Sequence, residues 1–142
     1  LRILEKHAVF CGGGRNHRLG LDNGVMVKDN HIAVCGGLKE AVKKAKEKVP
    51  VLVKIEVECD RLEQVEEALD AGADMLLLDN MDLSTLKEAV KIVNHKIPLE
   101  ASGGVSLNTI ADIALTGVDF ISVGRITQSS PCVDIGLDEI QN

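Results

Sequence analysis

Short apolar runs alternate with amphipathic stretches along almost the whole chain, and that alternation predicts strands and helices in turn. Val25-Met26-Val27 is a compact apolar run that delivers Lys28 at its end. Leu38-Lys39-Glu40-Ala41-Val42-Lys43-Lys44-Ala45 has the spacing of a surface helix, which continues to about Lys48 and is closed by Pro50. Val51 to Glu58 reads as a strand, largely alternating after Val53. A helix over Leu62–Asp70 ends at Gly72, a helix-stopping glycine, and Met75–Leu78 is a strand ending at Asp79. Ser84 is placed to cap a helix reaching about His95, and the strand Leu99–Ala101 leads into Ser102-Gly103-Gly104. Leu107–Leu115 reads as helix, Phe120–Val123 as strand before Gly124, and Ile126–Ser129 as a short helix ahead of an apolar segment, Val133–Leu137. At the start of the chain, a short helix is expected to run into a strand at Ala8-Val9-Phe10.

Strands this short, β-branched and continuous are buried on both faces. The pattern therefore predicts parallel strands joined by right-handed helical crossovers. A doubly wound open sheet and a (β/α) barrel both satisfy it. The barrel is preferred because one strand after another ends on a group capable of chemistry: Lys28, Glu58, Asp79, Ser102 and Gly124. Barrels gather active sites at the C-terminal ends of several strands, whereas open sheets concentrate them at one switch point. A complete barrel takes about 200–250 residues and eight strands. The 142 residues here, with about six strands by this reading, predict an α/β, TIM-like (β/α) barrel that is incomplete.

Composition narrows the partners. Two Phe with no Trp or Tyr remove the rings on which single-stranded nucleic acid stacks. A net charge of −6 opposes a general polyanion binder, so no nucleic-acid partner is expected and any anion site must be local. No apolar run approaches the roughly 18–20 residues of a membrane span, and no signal-peptide pattern is visible, so no membrane partner is expected. Cys11, Cys35, Cys59 and Cys132 lie far apart without a C-x-x-C pair. That spacing suits reduced thiols in a cytoplasmic protein better than a zinc site or a disulfide framework. The first residue is Leu, which suggests a fragment or a processed chain.

Candidate chemistry concentrates between Gly12 and His31. Gly12, Gly13 and Gly14 allow close backbone approach; Arg15, His17 and Arg18 follow on loop, and Lys28 closes the next strand. Guanidinium, imidazole and ammonium brought together suit an acidic ligand; a solvated basic loop is the alternative reading. Ser102-Gly103-Gly104, with Gly124 one unit later, has the character of a barrel phosphate grip, in which glycine and helix N-termini present backbone N–H groups. A tight strand-to-helix turn chosen for sterics is the alternative there. Glu58 and Asp79 end consecutive strands and would lie side by side, able to hold Mg²⁺ beside phosphates or to accept hydrogen bonds from sugar hydroxyls. Glu56 shares a strand face with Glu58 but lies two positions back, and is the weaker candidate. His31 could contact a ligand or support a residue that does, but reads better as a capping or packing residue; His7 and His95 read as surface, and Lys39, Lys43, Lys44, Lys46 and Lys48 as a solvated helix face. Together these groups suit an enzyme that joins an acidic heterocycle to a phosphorylated sugar pyrophosphate.

Several motifs, in order, resemble one family. They are Leu1-Arg2-x-Leu4-Glu5-Lys6-x-Ala8-Val9, Gly12-Gly13-Gly14-x-Asn16-His17-Arg18-x-Gly20-Leu21, Lys28-Asp29-Asn30-His31, Glu56-Val57-Glu58, Leu78-Asp79-Asn80, Glu100-Ala101-Ser102-Gly103-Gly104, Gly117-Val118-Asp119 and Ser122-Val123-Gly124. The chain is similar to quinolinate phosphoribosyltransferases over its whole length. The resemblance implies a reaction of quinolinate with phosphoribosyl pyrophosphate, with Mg²⁺, giving nicotinate mononucleotide, pyrophosphate and CO₂ in de novo NAD biosynthesis. It implies that His17, Arg18 and Lys28 hold the quinolinate carboxylates, that Glu58 and Asp79 face the ribose hydroxyls and the metal, and that Ser102, Gly103, Gly104 and Gly124 hold phosphate. Lys28, Glu58 and Asp79 are the catalytic candidates. The family also carries an upstream Thr-Arg-Lys-Thr motif and an N-terminal sandwich domain that are not in these residues. Residues 1–142 are thus expected to be a C-terminal catalytic barrel portion without its first strand, inactive or nearly so alone, with a homodimer or higher homo-oligomer expected of the full-length enzyme. A ModD-type relative acting on another acidic ligand, and a non-catalytic barrel fragment, are the rival readings.

Overall fold

A computed structural model describes residues 1–137. Five strands, β1 (Val25–Val27), β2 (Ile55–Cys59), β3 (Met75–Asp79), β4 (Leu99–Ser102) and β5 (Phe120–Ile121), form one sheet. They are ordered β1-β2-β3-β4-β5 and every neighbouring pair is parallel. Sequential parallel neighbours require a crossover between each pair. Helices α2 (Asp29–Cys35) and α3 (Leu38–Lys48) supply the first, α4 (Leu62–Asp70) the second, α5 (Leu83–Val93) the third and α6 (Ile110–Ala114) the fourth. Helix α1 (Arg2–Cys11) precedes the sheet and α7 (Arg125–Gln128) follows it. The sheet is not closed, as the expectation of an incomplete barrel requires.

Side-chain parity divides the sheet into two chemically distinct faces. Ile55, Val57, Cys59, Leu76, Leu78, Leu99 and Ala101 are buried against Val42, Val65, Ala68, Leu86, Ala89 and Val93 of the helices. The alternate positions carry Met26, Glu56, Glu58, Met75, Leu77, Asp79 and Glu100. On this second face, Glu58 pairs with Leu77, Leu77 with Glu100 and Glu100 with Phe120 of β5, so these four stand in one row across the sheet. Carboxylates on the inner face and aliphatics under the helices are the arrangement of a barrel whose interior opens onto a site.

The strand entries are clamped by a repeated device. Asp74 accepts a hydrogen bond from the Ile55 amide at 2.8 Å and donates its own amide to the Ile55 carbonyl at 2.9 Å. Asp119 makes the same two contacts to Leu99, at 2.8 and 2.9 Å. Each aspartate follows a positive-φ glycine, Gly72 and Gly117. The Gly117-Val118-Asp119 motif therefore fixes register at the N-terminal end of the sheet, away from the strand ends that carry the candidate site.

Several boundaries differ from the sequence expectation. Ala8, Val9 and Phe10 continue α1 instead of starting a strand, and Gly12, Gly13 and Gly14 end that helix through bonds to Ala8, Phe10 and Val9. Val51 and Leu52 are exposed, and the Val53 amide bonds back to Pro50, so β2 begins only at Ile55. Helix α5 is capped by Asp82, which accepts from the Thr85 amide at 2.7 Å; Ser84 lies inside the helix and donates to Asp82. Helix α6 is shorter than the expected Leu107–Leu115, β5 spans two residues, and Val133–Leu137 forms no regular element. Five strands stand where about six were expected among the described residues.

Candidate active site

The C-terminal ends of the strands bring Lys28, Glu58, Asp79, Ser102, Gly103, Gly104 and Gly124 to one rim. Lys28 follows β1 and donates from Nζ to Glu58 Oε2 at 2.6 Å. Glu58 and Asp79 line one small cavity of about 100 Å³ with Asp29, Asp60 and Gln64. Asp79 pairs in register with Ser102, and the Asn80 amide donates to the Ser102 carbonyl at 2.9 Å. Ser102, Gly103, Gly104 and Gly124 line a second cavity of about 430 Å³, together with Ser122, Arg125 and Gln128. Gly103 has a φ of +92°, and a Cβ there would lie 2.9 Å from the Asn80 backbone nitrogen, so glycine is required at this turn. His31 turns inward to its own helix: its Nδ1 accepts from the Lys28 amide at 3.0 Å, capping α2.

His17 is exposed but makes contacts with buried carboxylates. It reaches across from the loop between α1 and β1, with Nε2 at 3.1 Å from Glu56 Oε2 and 3.5 Å from Glu100 Oε2. Ser122 donates its hydroxyl to Glu100 Oε1. Glu56 and Glu100 are 8% and 3% exposed, and Glu56 Oε1 has no hydrogen-bond partner among the described residues. The hydrogen bond to Glu56 raises the His17 pKa above its ordinary value; burial opposes this, the charges of Glu100 and Glu56 add to it, and neighbouring Arg18 lowers it. Burial pushes the Glu100 carboxyl up to about 7, with Glu56 adding and His17 offsetting. Arg18 itself is half-buried, and its side-chain stem lies beside Gly24.

Two oxygen-rich groups could hold a metal. Glu58, Asp79, Asp60 and Asp29 offer carboxylate oxygens, the donor type that hard cations take. His17, Glu56 and Glu100 bring three ligand atoms within 4.8 Å of one another, a mixed nitrogen and oxygen set. Sequence reasoning ranked Glu56 below Glu58 and did not single out Glu100 or Ser122. The available signal was parity: Glu56 and Glu58 share a face, and Glu100 is a carboxylate between two buried apolar residues of one strand.

A parallel, unclosed sheet whose strand ends carry paired carboxylates and a glycine-lined cavity has the architecture of an α/β barrel with its site at that end. Residues 1–138 match the family described as "Quinolinate phosphoribosyl transferase, C-terminal domain", and the chain belongs to that family. It is 47% identical over 138 residues to a probable nicotinate-nucleotide pyrophosphorylase (carboxylating) of Bacillus subtilis, covering 97% of this chain and 48% of that protein. The human nicotinate-nucleotide pyrophosphorylase (carboxylating) is 37% identical over 139 residues, covering 96% of this chain and 47% of that one. The crystal structure of the nicotinate-nucleotide pyrophosphorylase from Ehrlichia chaffeensis superposes with a TM-score of 0.86 at 49% identity, over 91% of this chain and 47% of that chain. The chain thus spans about half the length of the relatives it matches.

Proposed function

We propose that this chain carries the catalytic rim of a pentosyltransferase that moves the phosphoribosyl group of phosphoribosyl pyrophosphate onto quinolinate, with decarboxylation to nicotinate mononucleotide, in NAD biosynthesis. The observation that carries the reading is the convergence of His17, Lys28, Glu58, Asp79 and the glycine-lined cavity on one end of the sheet, in a chain of this family. Arg18 and Lys28, with His17, bind the two carboxylates of the acid; guanidinium offers a bidentate contact and ammonium a point charge. Glu58 and Asp79 accept hydrogen bonds from the ribose hydroxyls. As pyrophosphate leaves, the ribose gains oxocarbenium character, and carboxylates beside it stabilise that charge. Ser102, Gly103, Gly104 and Gly124 hold the phosphate through hydroxyl and backbone N–H groups. Once the ring is glycosylated, loss of CO₂ leaves negative charge on it, which adjacent Arg18 and Lys28 stabilise.

The donor set around Glu58 and Asp79 fits Mg²⁺, since hard oxygen ligands and room for water are what that ion takes. When bound, Mg²⁺ supplies neutralisation of the pyrophosphate charge. A homodimer and a cytoplasmic setting belong to the same proposal. Four free cysteines are compatible with a reducing compartment, and sedimentation of the purified chain tests the dimer.

Calorimetric titration with quinolinate tests the carboxylate clamp. Arg18→Ala combined with Lys28→Ala is expected to weaken binding by more than tenfold, about 1.4 kcal/mol or more. Unchanged affinity in the double variant contradicts the reading.

A further inference from the structure

Ser122 belongs to two groups at once. It lines the cavity with Ser102, Gly103, Gly104 and Gly124, and its hydroxyl donates to Glu100, whose other oxygen lies 3.5 Å from His17 Nε2. We propose that Ser122 and Glu100 are positioning residues that couple the phosphate cavity to His17, so that phosphate and an acidic ring ligand reinforce each other's binding. The acidic ligand and the phosphate site both rest on the function proposed above; the chain of contacts from Ser122 through Glu100 to His17 does not.

The coupling follows from a single proton. Ser122 has one hydroxyl hydrogen, and its backbone N–H donates to the Ala101 carbonyl at 2.9 Å, leaving rotation of the side chain as its freedom. A phosphate oxygen is a charged acceptor and competes strongly for that hydrogen. Turning the hydroxyl toward phosphate takes a donor from Glu100, which is 3% exposed and has little access to water in compensation. Among the described residues, the other group beside Glu100 able to donate is His17 Nε2–H, shared unequally with Glu56 at 3.1 Å. The imidazole is then held by both carboxylates and meets an acidic ligand already oriented, which lowers the ordering cost of binding. By linkage the ligand strengthens phosphate binding by the same factor.

Imidazole NMR of the chain titrated with inorganic phosphate tests this, with Gly103, Gly104 and Gly124 amides reporting occupancy of the cavity. The expected result is a saturable shift of the His17 ring signals while those of His7 and His95 stay still. Ser122→Ala abolishes the His17 response at saturating phosphate, and Ser122→Thr, which keeps a hydroxyl, restores it. Glycine shifts without a His17 response in the unaltered chain, a response that survives in Ser122→Ala, or no glycine shift at all each overturn the coupling. In a second arm, saturating phosphate is expected to raise quinolinate affinity about fivefold or more, and equal affinity overturns the reinforcement. Failure of quinolinate to bind under any condition instead contradicts the proposed function, while the His17 response to phosphate stands or falls by itself.

Discussion

Lys28 Nζ lies 2.6 Å from Glu58 Oε2, with the two side chains 40% and 19% exposed. A pair this open to water contributes little to stability, because solvent screens it. Its place at the strand ends suits ligand binding better than folding. Lys28→Met is therefore expected to change unfolding free energy by less than about 1 kcal/mol. The same substitution should weaken quinolinate binding by more than tenfold. Chemical denaturation and calorimetry on one preparation measure both.

Stability should fall as pH rises through neutrality. The Glu100 carboxyl is pushed up to about 7, and His17 is also raised. Groups whose pKa is higher in the folded state take up protons on folding, so their contribution is fully present at low pH and is lost as pH rises through the folded values. For Glu100 the loss runs from about pH 4.5 to just above 7. Thermal unfolding between pH 5.5 and 8.5 should show a falling midpoint, with a shallower slope in Glu100→Gln. An unchanged slope in that variant contradicts the assignment.

Gly103 and Gly104 should respond differently to alanine. Both have positive φ, but a Cβ on Gly103 meets the Asn80 backbone, whereas one on Gly104 meets nothing within 4 Å. Gly104→Ala should cost the backbone strain alone, about 1–3 kcal/mol. Gly103→Ala should cost more and displace the turn that lines the phosphate cavity, with weaker phosphate binding as the readout.

Thiol labelling should separate the cysteines by environment. Burial pushes the Cys59 thiol up to about 12, while Cys11 and Cys132 are exposed. Alkylation of the native protein, followed by mass spectrometry, should modify Cys11 and Cys132 and spare Cys59 until the chain is unfolded.

Much of this architecture is legible in the residues because parallel strands announce themselves as apolar runs punctuated by helices. Lys28, Glu58, Asp79 and Ser102 stand out because polar groups terminate those runs. What escaped is informative. Helix α2 itself was not expected, because it lacks a usual capping residue; its start is held by the His31 ring accepting from the Lys28 amide, the capping role the sequence offered for His31 without the helix it serves. Val51-Leu52 looks like strand but is an exposed turn, because Pro50 and the Val53 amide close it. Glu100 was hidden within a motif, since a carboxylate buried in a strand needs partners from distant chain: His17, Glu56 and Ser122 are 83, 44 and 22 residues away by number.

The most direct test of the common rim is amide chemical-shift mapping of the chain with quinolinate. The account predicts changes clustered at His17, Arg18, Lys28 and the C-terminal ends of β2 and β3, with the opposite end of the sheet around Asp74 and Asp119 silent. Changes centred on Asp74 and Asp119, or none at the rim, would contradict it.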